Sequence, residues 1–384
     1  MGRLGVYKME AVKTASTLAL ALLIAGSGFS APPPLRVAII GLVHGHAGGF
    51  LEGSALVPAG GALHRNDVQI VGVVEPDQQL FDQYAKRSHW PASLHFQSVQ
   101  DLAARAHPNA ALVFTSTAGH TKAVQECARF GIHVMMEKPM AVSYRDALAI
   151  AEAARRGRIH VLVDYETSWY ASNGTAGDLL DRGALGPILK TVVRDGHSGP
   201  KKIHVSPEFF AWLTDPKLDG AGALYDFGCY GADLMTWLMK GEAPLSVTAT
   251  TRQIQPDIYP KVDDEADVLL TYKNAVAILQ GSWNWPFNVK EMDVYGRTGY
   301  AKTIGSDRID VRREGETDHH ITDAARLTTP NDDPLHYFAS VIRGEITEEN
   351  SLSSLKTNIT VSEILDAARR SAQTGQRVDL PLKP

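Results

Sequence analysis

The stretch that decides the fold is residues 35–50, "LRVAIIGLVHGHAGGF". The run Leu35–Ile40 reads as a buried strand, and Gly41 directly after it permits the tight turn by which a strand enters a helix in dinucleotide-binding units. Such turns seat a pyrophosphate against the backbone N–H groups at the start of the helix. The glycines that normally follow are missing: Val43 stands where backbone and phosphate come closest, and His46 holds the third position. Gly41, Leu42, His44, Gly45 and His46 are therefore cofactor-contact candidates in an altered turn. The histidines leave three readings open: they can hydrogen-bond phosphate, ligate a metal (with Asp164 as a further candidate), or fill the turn. Imidazoles two apart in a loop more often hydrogen-bond than ligate, so no metal is assigned.

Outward from this turn, short apolar runs alternate with helical stretches, the pattern of βαβ units on a parallel sheet. "VQIVGVVE", "AALVFTS", "IHVMMEKP" and "IHVLVDY" read as further strands, and Ser143 caps the helix "YRDALAIAEAARRG". From about Leu189 the texture changes. "LKTVVRDG", "LSVTATTRQI", "EADVLLTY", "AVAILQGSW" and "KEMDVYGRTGYAKTIG" alternate as antiparallel strands do, and two helical patterns, "GALYDFGCYGADLMTWLMKG" and "LSSLKTNITVSEILDAARRSAQTG", lie apart from them. The expected architecture is an α/β N-terminal Rossmann-type parallel sheet over residues 35–164. An α+β domain with a large, mainly antiparallel open sheet follows over residues 165–384, its C-terminal helix packing back.

Composition narrows the function. Charged residues make up 21% and hydrophobic ones 44% of 384 residues, with a formal charge of -5, so no basic footprint suggests nucleic acid. Basic Arg3, Lys8 and Lys13 precede the apolar "ASTLALALLIAG" and small residues up to Ser30 and Ala31. That order predicts a signal peptide over residues 1–31, cleaved near Ser30/Ala31, and hence a periplasmic or secreted protein without a membrane anchor. Cys127 and Cys229 are expected as free, buried thiols.

Chemistry-bearing residues gather at predicted strand ends. Glu75 closes the second strand, where a carboxylate can accept from both ribose hydroxyls and repel a 2′-phosphate, favouring NAD over NADP. Glu137 and Lys138, in "EKP", lie at the carboxyl end of a later strand, on the rim where open α/β sheets bind ligands. Some ninety residues on, "DFGCYGAD" follows a Gly-rich helix start. This pairing, with "TSTAGHTKAVQECARFGIHVMMEKPMAVS", "VDDEADVLLTY" and the closing "AARRSAQTGQRVDLPL", resembles the Gfo/Idh/MocA family of glucose–fructose oxidoreductase and inositol dehydrogenase-like enzymes.

The resemblance implies a NAD(P)-dependent oxidoreductase acting on CH–OH groups. It implies that Lys138 contacts the reacting hydroxyl, that Asp226 and Tyr230 face it as catalytic partners, and that Thr115, Ser116 and His120 lie by the nicotinamide ribose. A phenol is a poor base at neutral pH unless a cation lowers its pKa, and Lys138 is the candidate cation for Tyr230. Where many members carry an N-x-R segment this chain has "DYETSWY", so Glu166 and Trp169, with His197, are expected to line a polyol pocket. Trp283 and Trp285 alternate along a strand and should share one face, at a pocket or a subunit interface. A homo-oligomer, dimer or tetramer, is implied by the family. Two alternatives remain beside an exported sugar oxidoreductase: an NAD-dependent glycosidase or lyase working by transient oxidation and elimination, and a non-catalytic sugar-binding protein.

Overall fold

A computed structural model describes residues 32–383; the predicted signal peptide lies outside the described residues. Six parallel strands form the first sheet: β1 (Leu35–Ile40), β2 (Val68–Val74), β3 (His95–Phe96), β4 (Ala110–Val113), β5 (His133–Glu137) and β6 (Val161–Asp164), in the order β3-β2-β1-β4-β5-β6. Neighbours β1 and β4 are joined through opposite halves of the sheet, and the crevice at that switch point is where such sheets take a ligand. Helices α1 (Ala47–Glu52), α2 (Gln78–Ser88), α3 (Val99–Ala106), α4 (His120–Ala128) and α5 (Tyr144–Gly157) connect these strands. Ser143 caps α5, its hydroxyl accepting from the Asp146 amide as the sequence predicts.

The second sheet has nine strands: β7 (Ile188–Gly196), β8 (Ser246–Arg252), β9 (Glu265–Thr271), β10 (Val276–Ser282), β11 (Val289–Gly296), β12 (Gly299–Ile304), β13 (Arg308–Arg313), β14 (His320–Asp323) and β15 (Val378–Asp379). Their order is β14-β13-β12-β11-β7-β10-β9-β8-β15. Among the described residues its strands pair antiparallel except β7 with β10, so the sheet is mixed rather than purely antiparallel. Between the sheets lie α6 (Ala171–Asp181), α7 (Pro207–Leu213), α8 (Ala223–Asp226), α9 (Gly228–Leu238), α10 (Pro334–Ile342) and α11 (Leu355–Thr374). The pattern expected as one helix over "GALYDFGCYGADLMTWLMKG" is broken at Phe227, whose φ of -111° separates α8 from α9.

Helix α11 ties the halves together. Arg369 donates to the carbonyls of Val142 and Gly220, and Asp366 accepts from the Tyr144 amide at the start of α5. Both cysteines are free and buried. Among the described residues no helix is long and apolar enough to cross a membrane.

Candidate active site

A cavity of about 700 Å³ opens between the carboxyl ends of the first sheet and the helices of the second half. Lys138, just past β5, and Asp226, at the end of α8, meet in it: the Lys138 Nζ lies 2.5 Å from Asp226 Oδ1 and also donates to the Asp226 carbonyl at 3.0 Å. Burial opposes charge on both groups, but each partner overcomes that penalty. The ammonium is held above its ordinary pKa and the carboxyl below the usual carboxylate value. Trp283, at the end of β10, donates from Nε1 to the second Asp226 oxygen at 2.8 Å, so all of that carboxylate is engaged.

Tyr230 also lines this cavity, and the Lys138 nitrogen sits 5.1 Å from its ring centroid. The expectation that Lys138 would lower the Tyr230 pKa is overturned. Burial pushes the phenol well above its ordinary value, the nearby carboxylates of Glu166 and Asp226 push the same way, and the ammonium spends itself on Asp226. The phenol therefore keeps its proton at neutral pH. His197 lines the same wall; its Nδ1 accepts from the Gly199 amide at 2.9 Å, and burial lowers its pKa, so the neutral ring carries its proton on Nε2.

Glu166 reaches the cavity as expected, but already engaged: Lys290 pairs with it and the Tyr170 hydroxyl donates to it at 2.5 Å. Lys290, on β11, also stands 4.8 Å from the Tyr230 ring centroid. Trp169 is a correction. The short 3₁₀ turn Glu166–Trp169 sends its indole away from the cavity to pack on Tyr337, with Nε1 donating to Asp164 at 2.8 Å. Trp283, fully buried against Tyr259, serves Asp226 rather than any interface. Sequence reading missed Lys290, Tyr170 and the tie of Trp283 to Asp226. Trp283 alternates on a strand as core residues do, and nothing local marks its partner.

The turn after β1 departs from a simple phosphate cradle. Gly41 has φ +77°, and a Cβ there would stand 2.7 Å from Thr115 Cγ2, so glycine is required. The Leu42 amide donates to Glu75 Oε2 at 2.8 Å and the Asp77 amide to Glu75 Oε1 at 2.9 Å. With one amide on each oxygen and 3% exposure, Glu75 braces the turn, where an open ribose acceptor was expected. His44 is buried beneath Phe209 and Trp212 of α7, and burial, then His46, holds its pKa well below 6.5. Its Nδ1 accepts from the His46 amide at 3.2 Å. His46 turns to the cavity and meets Glu137 Oε2 at 3.1 Å. Asp164 pairs in register with Glu137 on the next strand but is taken by Trp169.

Helix α7 covers this turn. The Phe209 ring lies where a Gly45 Cβ would be, at 2.9 Å, and Trp212 Nε1 donates to the Val43 carbonyl at 3.2 Å. Behind it, the Ala118 amide bonds the Leu218 carbonyl, closing the loop that holds Thr115 and Ser116. His120 is fully buried, with Nδ1 on the Met140 carbonyl. Gly45, His46 and Lys138 thus reach the cavity, whereas Gly41, Leu42, His44, Glu75, Thr115, Ser116, His120 and Glu137 do not line it. Among the described residues the amides of Val43 and Gly45 take no hydrogen-bond partner, which leaves two donors for a phosphate. The residues fit a dinucleotide seated under α7.

Comparisons with known proteins agree with this layout. The profile described as "Oxidoreductase family, NAD-binding Rossmann fold" matches residues 35–165, and that of the GFO/IDH/MocA C-terminal domain matches residues 174–302. A trans-1,2-dihydrobenzene-1,2-diol dehydrogenase of Xenopus laevis is 26% identical over 48% of this chain and 52% of its own length, so that match spans about half of either protein. A 1,5-anhydro-D-fructose reductase of Ensifer adhaerens is 21% identical over 83% of this chain and 93% of that one. The structure of an aldose-aldose oxidoreductase from Caulobacter crescentus, complexed with glycerol, shares the fold with a TM-score of 0.74 at 20% identity, covering 90% of this chain and 100% of the other. Matched along both of its sheets, the chain belongs to the Gfo/Idh/MocA family of oxidoreductases, with an NAD-binding Rossmann fold in its first half.

Proposed function

We propose that this protein is an exported oxidoreductase that moves a hydride between NAD and a hydroxyl-bearing carbon of a sugar or sugar derivative. One observation carries the reading: the buried Lys138–Asp226 pair, braced by Trp283, stands beside Tyr230 and His197 on the wall of one cavity of about 700 Å³. The relatives named as acting on anhydrofructose and aldoses support the substrate class. The nicotinamide, when bound, supplies or accepts the hydride. Lys138 orients the reacting oxygen. Protonated Tyr230 and the Nε2–H of His197 donate to substrate oxygens, an arrangement ready for a carbonyl that gains a proton on reduction. When the hydroxyl is oxidised instead, the group that gives this proton on reduction takes it back. Lys290 and Glu166 set the far wall for further hydroxyls.

NAD is the cofactor of this reading because the chain carries an acidic residue, Glu75, at the end of β2, although its oxygens hold backbone amides and act on a 2′-phosphate through charge alone. Export rests on the pattern of residues 1–31, and N-terminal sequencing of the mature protein tests it by finding the chain to begin near Ala31. A homo-oligomer through the open face of the second sheet, where Leu269 is exposed, is tested by light scattering. The function is tested by incubating the purified protein with a panel of sugars and glycosides while following both NADH and product. Reduction of NAD with a free sugar supports the reading. Release of free sugar from a glycoside with no net NADH replaces it with oxidation–elimination, and binding without turnover replaces it with a sugar-binding protein.

A further inference from the structure

The proposed reaction leaves His44, His46 and Glu137 without a task. Among the described residues these three form a group that can hold a metal ion, with ligand atoms all within 4.8 Å of one another. The turn after β1 supplies both imidazoles and the end of β5 supplies the carboxylate. Glu137 is 2% exposed, its Oε2 meets His46 at 3.1 Å, and its Oε1 has no hydrogen-bond partner. A buried carboxylate oxygen left open beside two imidazoles calls for a cation.

The spacing fits one. In a tetrahedral site with bonds of about 2.0–2.1 Å, neighbouring ligand atoms lie roughly 3.3 Å apart. The His46–Glu137 edge is close to that already, and the widest spacing must close by about 1.5 Å, which side-chain rotation covers. On the inner side Phe209 and Trp212 wall in the His44 ring, while His46 borders the cavity. An ion there has a dry back and an open front.

We propose that His44, His46 and Glu137 bind one divalent transition-metal ion whose remaining coordination position opens to the cavity beside Lys138, with His44 ligating through the Nδ1 that otherwise accepts from the His46 amide. Two imidazoles and one carboxylate suit zinc, cobalt or manganese, whereas magnesium and calcium prefer all-oxygen shells.

Metal-stripped, untagged full-length protein titrated with Co²⁺, followed by its visible d–d absorption, tests this independently of any redox assay. One Co²⁺ per chain, displaced by one equivalent of Zn²⁺, is the expected result. His46→Ala and Glu137→Gln should each weaken binding at least tenfold, while His319→Ala, on an exposed histidine of the second sheet, should leave it unchanged. Circular dichroism establishes folding, and Glu137→Gln, nearly isosteric, keeps the test alive where His46→Ala fails to fold. Absence of a saturable Co²⁺ band in the wild type overturns the proposal, and so does wild-type affinity in Glu137→Gln; either outcome identifies His46–Glu137 as an ion pair only. Because binding is read without nucleotide or sugar, its failure leaves the oxidoreductase reading standing.

Discussion

The two walls of the cavity are built on opposite principles. On one, Lys138, Asp226 and Trp283 lock together through direct hydrogen bonds among residues from three distant segments. On the other, the turn after β1 has exchanged backbone access for side chains: His44 and His46 fold into it, Glu75 braces it from behind, and α7 covers it. The reacting groups are thus held as a buried ion pair must be, with every polar atom satisfied. The cofactor turn is held instead by a buried brace and a covering helix, with Gly41 still required where a Cβ would meet Thr115. The contrast can be tested from either wall.

The largest effect is expected at Lys138. Lys138→Ala strips the buried Asp226 carboxylate of its counter-ion, which costs roughly 3–5 kcal/mol of stability. Turnover should fall by about 10²–10⁴-fold, the range for a positioned proton-transfer group. Thermal melts and NADH production measure the two losses. A variant that keeps near-wild-type turnover would break the contrast at its stronger wall.

Next comes Trp283→Phe, which keeps an aromatic ring beside Tyr259, removes the N–H that holds Asp226 Oδ2 and leaves the space of the smaller ring unfilled. Loss of a hydrogen bond to a charged group costs roughly 1.5–3 kcal/mol. Because the indole touches Asp226 and is not on the cavity wall, kcat should drop more than KM rises. Equal changes in both would make Trp283 a packing residue.

Acid stability probes the covered wall. Burial lowers the His120 pKa from 6.5 to about 4. The unfolded chain therefore takes up a proton below pH 6.5 that the folded one refuses, so stability is full above that pH and is lost as pH falls toward 4. At pH 5 the loss amounts to about 2 kcal/mol, and buried His44 adds to it in the same direction. Urea unfolding at pH 7 and pH 5 measures the difference, and His120→Gln should shrink it by about that amount. An unchanged difference would mean that His120 titrates in contact with water and that the cover over its loop is open in solution.

These tests also mark where sequence was legible. β1 and α5 are read from the chain with their observed bounds because their signals are local: an apolar run ended by Gly41, and Ser143 capping through an amide three residues away. The pairing of "EKP" with Asp226 and Tyr230 is legible only through the family resemblance, because no local signal brings segments 88 residues apart together. β14 is not, since all four of its residues are exposed at the sheet edge and show no alternation. Trp169 looked like a pocket residue until a 3₁₀ turn rotated it onto Tyr337, and Tyr230 looked like a base until burial set its proton in place. Lys290, on β11, joins Glu166 of the 3₁₀ turn after β6, a meeting of distant segments that no local pattern encodes. What depends on one segment is readable, and what depends on which segments become neighbours is not.

The smallest effect expected is the one that bears most directly on the cover. Trp212 Nε1 donates to the Val43 carbonyl across the crevice, so α7 must break this bond to let a dinucleotide in or out. Trp212→Phe preserves the aromatic packing on Phe209 and His44 and deletes the bond, a change of about 0.5–1.5 kcal/mol. If opening of α7 limits exchange, nucleotide should leave roughly 2–10-fold faster, with kcat on bound cofactor little altered. Stopped-flow displacement of bound NADH by excess NAD measures the rate. A variant that releases nucleotide at the wild-type rate would place the exit elsewhere, and α7 would then be a fixed part of the covered wall.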